Sequence, residues 1–349
     1  MRFRLISYKP LYFFLLFLSS IQIFQGCKNS NEVSLLYGQN NAMWCQSLYL
    51  RGYNPTTKER LTSKMVDSFG QQMKNHHIKY VYLFAGPFLS NGHLPEYPFT
   101  DSAVNVVKKL KQNNPDLIIL PWVGGIQNKT VQLQDSLWVN NAISDTKLLI
   151  KRLGVPGIHL DFEYILSGDP YLDHFVDNHN NANKEDYGKN VNDFCRRLRI
   201  SMPKIFISSV VVATSPETKP WKMKTTLPEL KILTKYIDQL AFLYFDTGIT
   251  DNKVFKHNCE LLSKDILFLY SQNKIKYLIA VGTFINEPQL HGYRHMDIEN
   301  IPNSISVIKS GLVSVSPPKR ILDGIALYCD WRTTDTEWRE FDRYWLEKN

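Results

Sequence analysis

Apolar, β-branched runs alternate with amphipathic stretches along most of this chain. Strand-like runs fall at Met43–Leu50, Ile78–Gly86, Leu117–Gly124, Gly157–Glu163, Ile205–Ala213, Ile237–Asp246, Ile275–Phe284 and Leu322–Trp331. Helical spacing fills the gaps over Lys58–His76, Asp101–Asn113, Leu133–Leu153, Lys184–Ile200, Leu227–Tyr236, Lys253–Gln272 and Asn300–Val315. A last helix, Thr336–Leu346, carries Trp338, Phe341, Tyr344 and Trp345 on its expected inner face. The strands are too apolar to leave one face in water, which implies a parallel sheet covered by helices. Eight strand–helix units without a dividing linker predict a closed (β/α)8 TIM barrel over residues 43–349. No GxGxxG follows the first strand, which counts against a dinucleotide-binding sheet.

The first 26 residues break that rhythm. Arg2, Arg4 and Lys9 precede a nearly unbroken apolar run from Pro10 to Phe24, too short for a comfortable span of about 20 residues but suited to a signal peptide. The run ends at Gly26-Cys27, followed by polar residues 28–32. A small residue and then Cys after such a segment resembles a bacterial lipoprotein processing site. Cys27 would become the lipidated N-terminus, residues 27–42 a tether, and the barrel an exported, membrane-anchored protein. An uncleaved anchor and plain secretion are the other readings, and each also puts the barrel outside the cytoplasm.

Composition narrows the class. Of 349 residues, 44% are hydrophobic and 13% aromatic, a profile that excludes a disordered chain. The formal charge of +8 falls to about +5 once the three leader cations are set aside. No Lys/Arg run is long enough to follow a phosphate backbone, so a nucleic-acid partner is not expected. Cys45, Cys195, Cys259 and Cys329 lack CxxC spacing and form no zinc signature; buried free thiols are the default. His291 and His295 lie four apart without a supporting metal pattern, and neither a metal nor another cofactor is called for.

The chemistry concentrates in the fourth strand, Gly157-Ile158-His159-Leu160-Asp161-Phe162-Glu163. Strand alternation puts His159, Asp161 and Glu163 on one face and the apolar residues on the other. An imidazole and two carboxyls in line inside a barrel are costly to bury unless they act on something. A structural salt-bridge network is the competing reading. The polar loop that follows, residues 165–183 with Asp169, Tyr171, Asp173, Asp177 and His179, is expected to overhang the site.

These residues resemble the glycoside hydrolase family 18 signature, D-G-x-D-x-D-x-E. Gly157, Asp161 and Glu163 match it, while Pro156 and His159 replace two of its aspartates. Trp122-Val123-Gly124-Gly125 is similar to the family's S-x-G-G on strand three. Leu243-Tyr244-Phe245-Asp246 falls where the family has M-x-Y-D, with Phe245 in place of its tyrosine. Tyr328 falls where the family has its eighth-strand tryptophan, the floor of the sugar site.

The resemblance implies substrate-assisted, retaining hydrolysis of N-acetylglucosamine-containing oligosaccharides or polysaccharides. Glu163 would donate the proton, Asp161 would orient the acetamido group that acts as nucleophile, and Asp246 would hold that group's carbonyl side. Tyr244 is a candidate for the missing tyrosine hydroxyl. Trp44, Trp122, Trp221, Tyr328 and Trp331 lie at strand ends where sugar faces could stack, with Trp122, Tyr328 and Trp331 the binding candidates. His159 is expected to hydrogen-bond Asp161 and keep it charged. The alternative is a catalytically silent, carbohydrate-binding barrel.

Overall fold

The computed structural model describes residues 36–166, 184–215, 217–284 and 293–348. Cys27, His291 and the loop residues 167–183 lie outside the described residues. Eight parallel strands close on themselves in sequence order: β1 (Asn41–Cys45), β2 (Ile78–Pro87), β3 (Ile118–Ile126), β4 (Gly157–Glu163), β5 (Phe206–Val212), β6 (Gln239–Leu243), β7 (Lys276–Gly282) and β8 (Gly324–Tyr328). β8 closes the ring by pairing Ala326 with Ala42 and Leu327 with Met43. Around it lie α1 (Leu48–Arg51), α2 (Ser63–Asn75), α3 (Asp101–Asn113), α4 (Ser136–Leu153), α5 (Tyr187–Ser201), α6 (Leu227–Leu233), α7 (Asn252–Gln272), α8 (Ile301–Val315) and α9 (Asp335–Tyr344).

Strand alternation splits the core in two. Outward side chains such as Ile158, Leu160 and Phe162 of β4 and Ile325 and Leu327 of β8 join the helix-facing core. Inward ones, among them Trp44, Tyr82, Leu120, Ala241, Phe245 and Ala326, fill the barrel interior. Both faces are therefore dry, which is why the strands read as continuous apolar runs. Helix ends are set by local chemistry. Asp135 accepts from the backbone N–H of Leu137 and Trp138 at the start of α4, and Gly154 ends it in the left-handed region. Thr334 and Glu337 form a reciprocal capping box at the start of α9.

Three expectations change at element ends. The run expected to continue strand one through Leu50 turns into α1, so only five residues pair in β1. The helix expected from Lys58 begins at Ser63, because Thr62 supplies its cap and Lys58 has a φ of 62°. Residues 36–42, assigned to the tether, belong to the barrel. Tyr37 bridges to Leu322 and stacks on Trp345 with centroids 4.2 Å apart. On α9, Trp338 and Phe341, together with Trp345 just beyond it, are buried, while Tyr344 is exposed because it falls off their stripe.

Candidate functional site

β4 delivers its three ionisable residues in line toward the mouth. His159 is fully buried, while Asp161 and Glu163 are partly exposed toward the C-terminal mouth. β3 runs beside them in register, with Trp122 opposite His159, Gly124 opposite Asp161 and Ile126 opposite Glu163. Gly124 is required there: a Cβ would lie 1.8 Å from the Asp161 carbonyl oxygen. With the backbone that close, Trp122 Nε1 donates to Asp161 Oδ2 at 3.0 Å. Trp122, Asp161 and Glu163 line one cleft of ≈ 290 Å³ together with Phe84, Gly125 and Lys129.

The expected bond between His159 and Asp161 is not made, and this corrects the role assigned to His159. Trp44 Nε1 donates to His159 Nε2 at 3.0 Å. An indole N–H only donates, so that imidazole nitrogen must accept and the ring proton resides on Nδ1. Nδ1 faces Ser208 Oγ at 2.8 Å, and the Ser208 hydroxyl donates to Gln239 Oε1 at 2.8 Å. Tyr82 donates to the same Gln239 oxygen and stacks flat on the imidazole at 3.7 Å. Burial holds the His159 pKa well below the usual value. His159 is thus a neutral member of a polar layer across the barrel's middle.

Above that layer, the carboxyl pair meets cations absent from the strand pattern. The loop after β5 crosses the mouth, fixed by an antiparallel bridge between Lys222 and Ile165 and by the Met223 N–H donating to Tyr164 O at 2.8 Å. It brings Lys222 Nζ onto Glu163 Oε1 as a part-buried ion pair. Burial alone would raise the Glu163 pKa, but the Lys222 ammonium outweighs it and holds the carboxyl below its usual value. Asp161 goes the other way: burial, then the charge of Glu163, raise it to about 7. This reverses the expected assignment, in which Glu163 held the proton and Asp161 stayed ionised. Asp161 Oδ1 is buried with no hydrogen-bond partner among the described residues.

Asp246 follows β6 in the left-handed region at a φ of 49°, which Asp tolerates better than most side chains. Glu299 holds that turn, accepting from the Asp246 N–H at 2.5 Å and from the N–H and hydroxyl of Thr247 at 3.0 and 2.7 Å. Lys219 and Arg294 each bring a nitrogen to 4.0 Å from the Asp246 carboxylate. Burial lowers Lys219 to about 8 and, with the charge of Asp246, raises Glu299 to about 7.

Tyr244 is a second correction. Its ring faces outward onto Phe255, and its hydroxyl donates to the Phe255 carbonyl, so it cannot replace the family's tyrosine hydroxyl. Phe245 faces inward instead and stacks on Tyr328 at 4.9 Å, with Trp331 edge-on to Tyr328 at 5.4 Å. Trp44 belongs to the His159 layer, and Trp221 stacks on Tyr293 at 3.7 Å. Cys45, Cys195, Cys259 and Cys329 are buried free thiols.

The sequence reading missed Lys219, Lys222, Arg294 and Glu299. One signal was present for the lysines: Lys219-Pro220-Trp221-Lys222-Met223-Lys224 follows a barrel strand, where loops face the site.

No protein-family model matches the chain, and no curated protein does. Solved structures do match. A chitinase from Bacteroides thetaiotaomicron aligns with a TM-score of 0.56 and 11% identity over 88% of this chain and 96% of that one. The spore cortex-lytic enzyme SleL of Bacillus megaterium gives 0.55 and 14% over 89% and 74%. A glycoside hydrolase family 18 N-acetylglucosaminidase from Paenibacillus barengoltzii gives 0.53 and 12% over 88% and 99%. At such identities the likeness is one of fold: this chain is a closed eight-stranded parallel barrel with surrounding helices, built as those enzymes are.

Proposed function

We propose that the protein is a glycoside hydrolase acting on N-acetylglucosamine-containing glycans by substrate-assisted, retaining hydrolysis. One observation carries the reading: Asp161 and Glu163 project from one strand face into the same cleft beside Trp122. Glu163, at the mouth end of β4, protonates the leaving glycosidic oxygen. Asp161, with a buried oxygen still without a hydrogen-bond partner, accepts the acetamido N–H and turns that group toward the anomeric carbon. Two carboxyls in one desolvated site cannot both be ionised cheaply, so one proton serves the pair. The three solved enzymes above, two of which carry chitinase or N-acetylglucosaminidase in their names, support the substrate class.

Glu163→Gln is the test, because the amide keeps shape and an acceptor for Lys222 while deleting the transferable proton. Hydrolysis of aryl glycosides of N-acetylglucosamine oligomers should fall by about two to four orders of magnitude with oligosaccharide affinity retained. Turnover equal to the parent's would remove Glu163 from the reaction. The ion pair with Lys222 favours a second reading, a barrel that binds glycans without cutting them, since a carboxylate held ionised has no proton to give. Micromolar binding without turnover in both proteins would establish it.

We propose separately, on the leader pattern alone, that lipidated Cys27 tethers the barrel to a membrane. A single acyl chain binds only marginally, so multiple acylation is needed. Cys27→Ser should leave the membrane fraction; a variant that stays there would point to an uncleaved anchor.

A further inference from the structure

The site described above sets one ammonium against two carboxyls, and the ammonium sits on the carboxyl that has to become the acid. Resting on the reading of Glu163 as proton donor, we propose that Lys222 is a positioning residue that exchanges partners: paired with Glu163 in the free protein, it moves to Asp161 when a glycan enters the cleft, and the proton on Asp161 passes to Glu163.

Geometry supports each part. The backbone around Lys222 is fixed at both neighbours, through the bridge to Ile165 and the bond from Met223 N–H to Tyr164 O, so the ammonium can move only at the end of its own side chain. Asp161 and Glu163 are two residues apart on one strand face, a separation a lysine terminus can span. Asp161 Oδ2 is held by Trp122, which leaves Oδ1 as the atom that changes partner. His159, the nearest base below, is closed to this proton because Trp44 already donates to Nε2 and Nδ1 faces Ser208.

Lys129 also lines the cleft and has an interaction of its own, and the other charged and titratable groups nearby are engaged elsewhere. The Lys219 nitrogen lies 4.0 Å from Asp246, and Arg294 and Glu299 attend the Asp246 turn. The Tyr187 hydroxyl, on α5 behind the strand, donates to the Phe162 carbonyl at 2.6 Å. Among the described residues, Lys222 is the cation in hydrogen-bond contact with the pair.

The step balances. The O–H bond of Asp161 breaks, an O–H bond forms on Glu163, and the negative charge moves from Glu163 to Asp161 with the ammonium following. The three side chains sum to zero charge before and after, so no net charge develops in a desolvated cleft. The acetamido N–H then meets a carboxylate on Asp161 instead of a carboxylic acid.

The test uses the full chain and the variants Lys222→Met and Lys222→Arg, with two readouts. The first is kcat/KM against pH on an aryl glycoside of N-acetylglucosamine oligomers. The second is the pH dependence of Trp122 emission, taken as the difference from Trp122→Phe, which follows Asp161 without requiring turnover. Removing the cation raises the affinity of the pair for its proton. The basic limb and the emission midpoint should therefore both rise by about one to two pH units in Lys222→Met, with kcat falling about tenfold. Lys222→Arg should keep the parental midpoint. A saturating N-acetylglucosamine tetramer should lower the emission midpoint in the parent but not in Lys222→Met. Midpoints that stay put in Lys222→Met, or that ignore the tetramer in the parent, overturn the exchange. If no protein turns over, the glycosidase reading fails on the first readout, and the emission response to the tetramer still decides the fate of Lys222.

Discussion

Two layers of the barrel interior, one rung apart on the same strand, treat ionisable side chains in opposite ways. In the middle layer, His159 is surrounded by neutral donors and acceptors: Trp44, Ser208, Gln239 and the face of Tyr82. At the mouth, Asp161 and Glu163 are surrounded by charge, with Lys222 in contact and Lys219 and Asp246 beyond. The middle layer is sealed, and the mouth layer is only partly open. In the first, the bond from Trp44 requires the neutral imidazole, burial favours it too, and the group stays uncharged. In the second, the ammonium lets one carboxyl ionise and leaves its neighbour to hold the proton. Burial alone does not make a reactive site. The charge of the neighbours decides whether a buried group is fixed in one protonation state or poised between two.

The comparison can be broken at three points. The largest effect belongs to the mouth, where Glu163→Gln should cost about two to four orders of magnitude in rate. An intermediate effect belongs to the middle layer, and it should appear in stability. His159→Leu leaves the Trp44 indole N–H without its acceptor and the Ser208 oxygen without its donor, at a cost of about 2–4 kcal/mol. Denaturant titration would measure it, and the position of the basic limb of the pH–rate profile should not move. A displaced limb with unchanged stability would return His159 to the reaction.

The smallest effect probes the link between layer and mouth. Trp122→Phe keeps the apolar wall but removes the indole donor that favours the Asp161 carboxylate. The Asp161 carboxyl would then hold its proton more firmly, and the basic limb should move to higher pH by a fraction of a unit, about 0.5. A shift to lower pH would show that the indole bonds to the protonated carboxyl instead.

The helix–strand order was readable along the chain because hydrophobic period is a local property. So was the shared face of His159, Asp161 and Glu163, since alternation within one strand needs no knowledge of its neighbours. Element ends were less legible: the run Ser47-Leu48-Tyr49-Leu50 is equally apolar as strand or helix, and packing made it α1. Tyr244 shows another limit: Ala241, Leu243 and Phe245 share the inner face while Phe242 and Tyr244 join the outer core, so plain alternation runs on past β6 and opposes the hydroxyl role that the family resemblance suggested.

Sequence alone thus determined the period of the elements, the parallel all-apolar strands and the placing of two carboxyls on one inner face. Tertiary structure decided which of them is charged. Lys222 reaches Glu163 across 59 residues, and Trp44 reaches His159 across 115. Neither contact has a periodic signature, because each depends on how a closed ring brings loops and strands from different parts of the chain to one point. A pKa is set by what lies within a few ångströms in space, and in a barrel those neighbours are seldom neighbours in sequence.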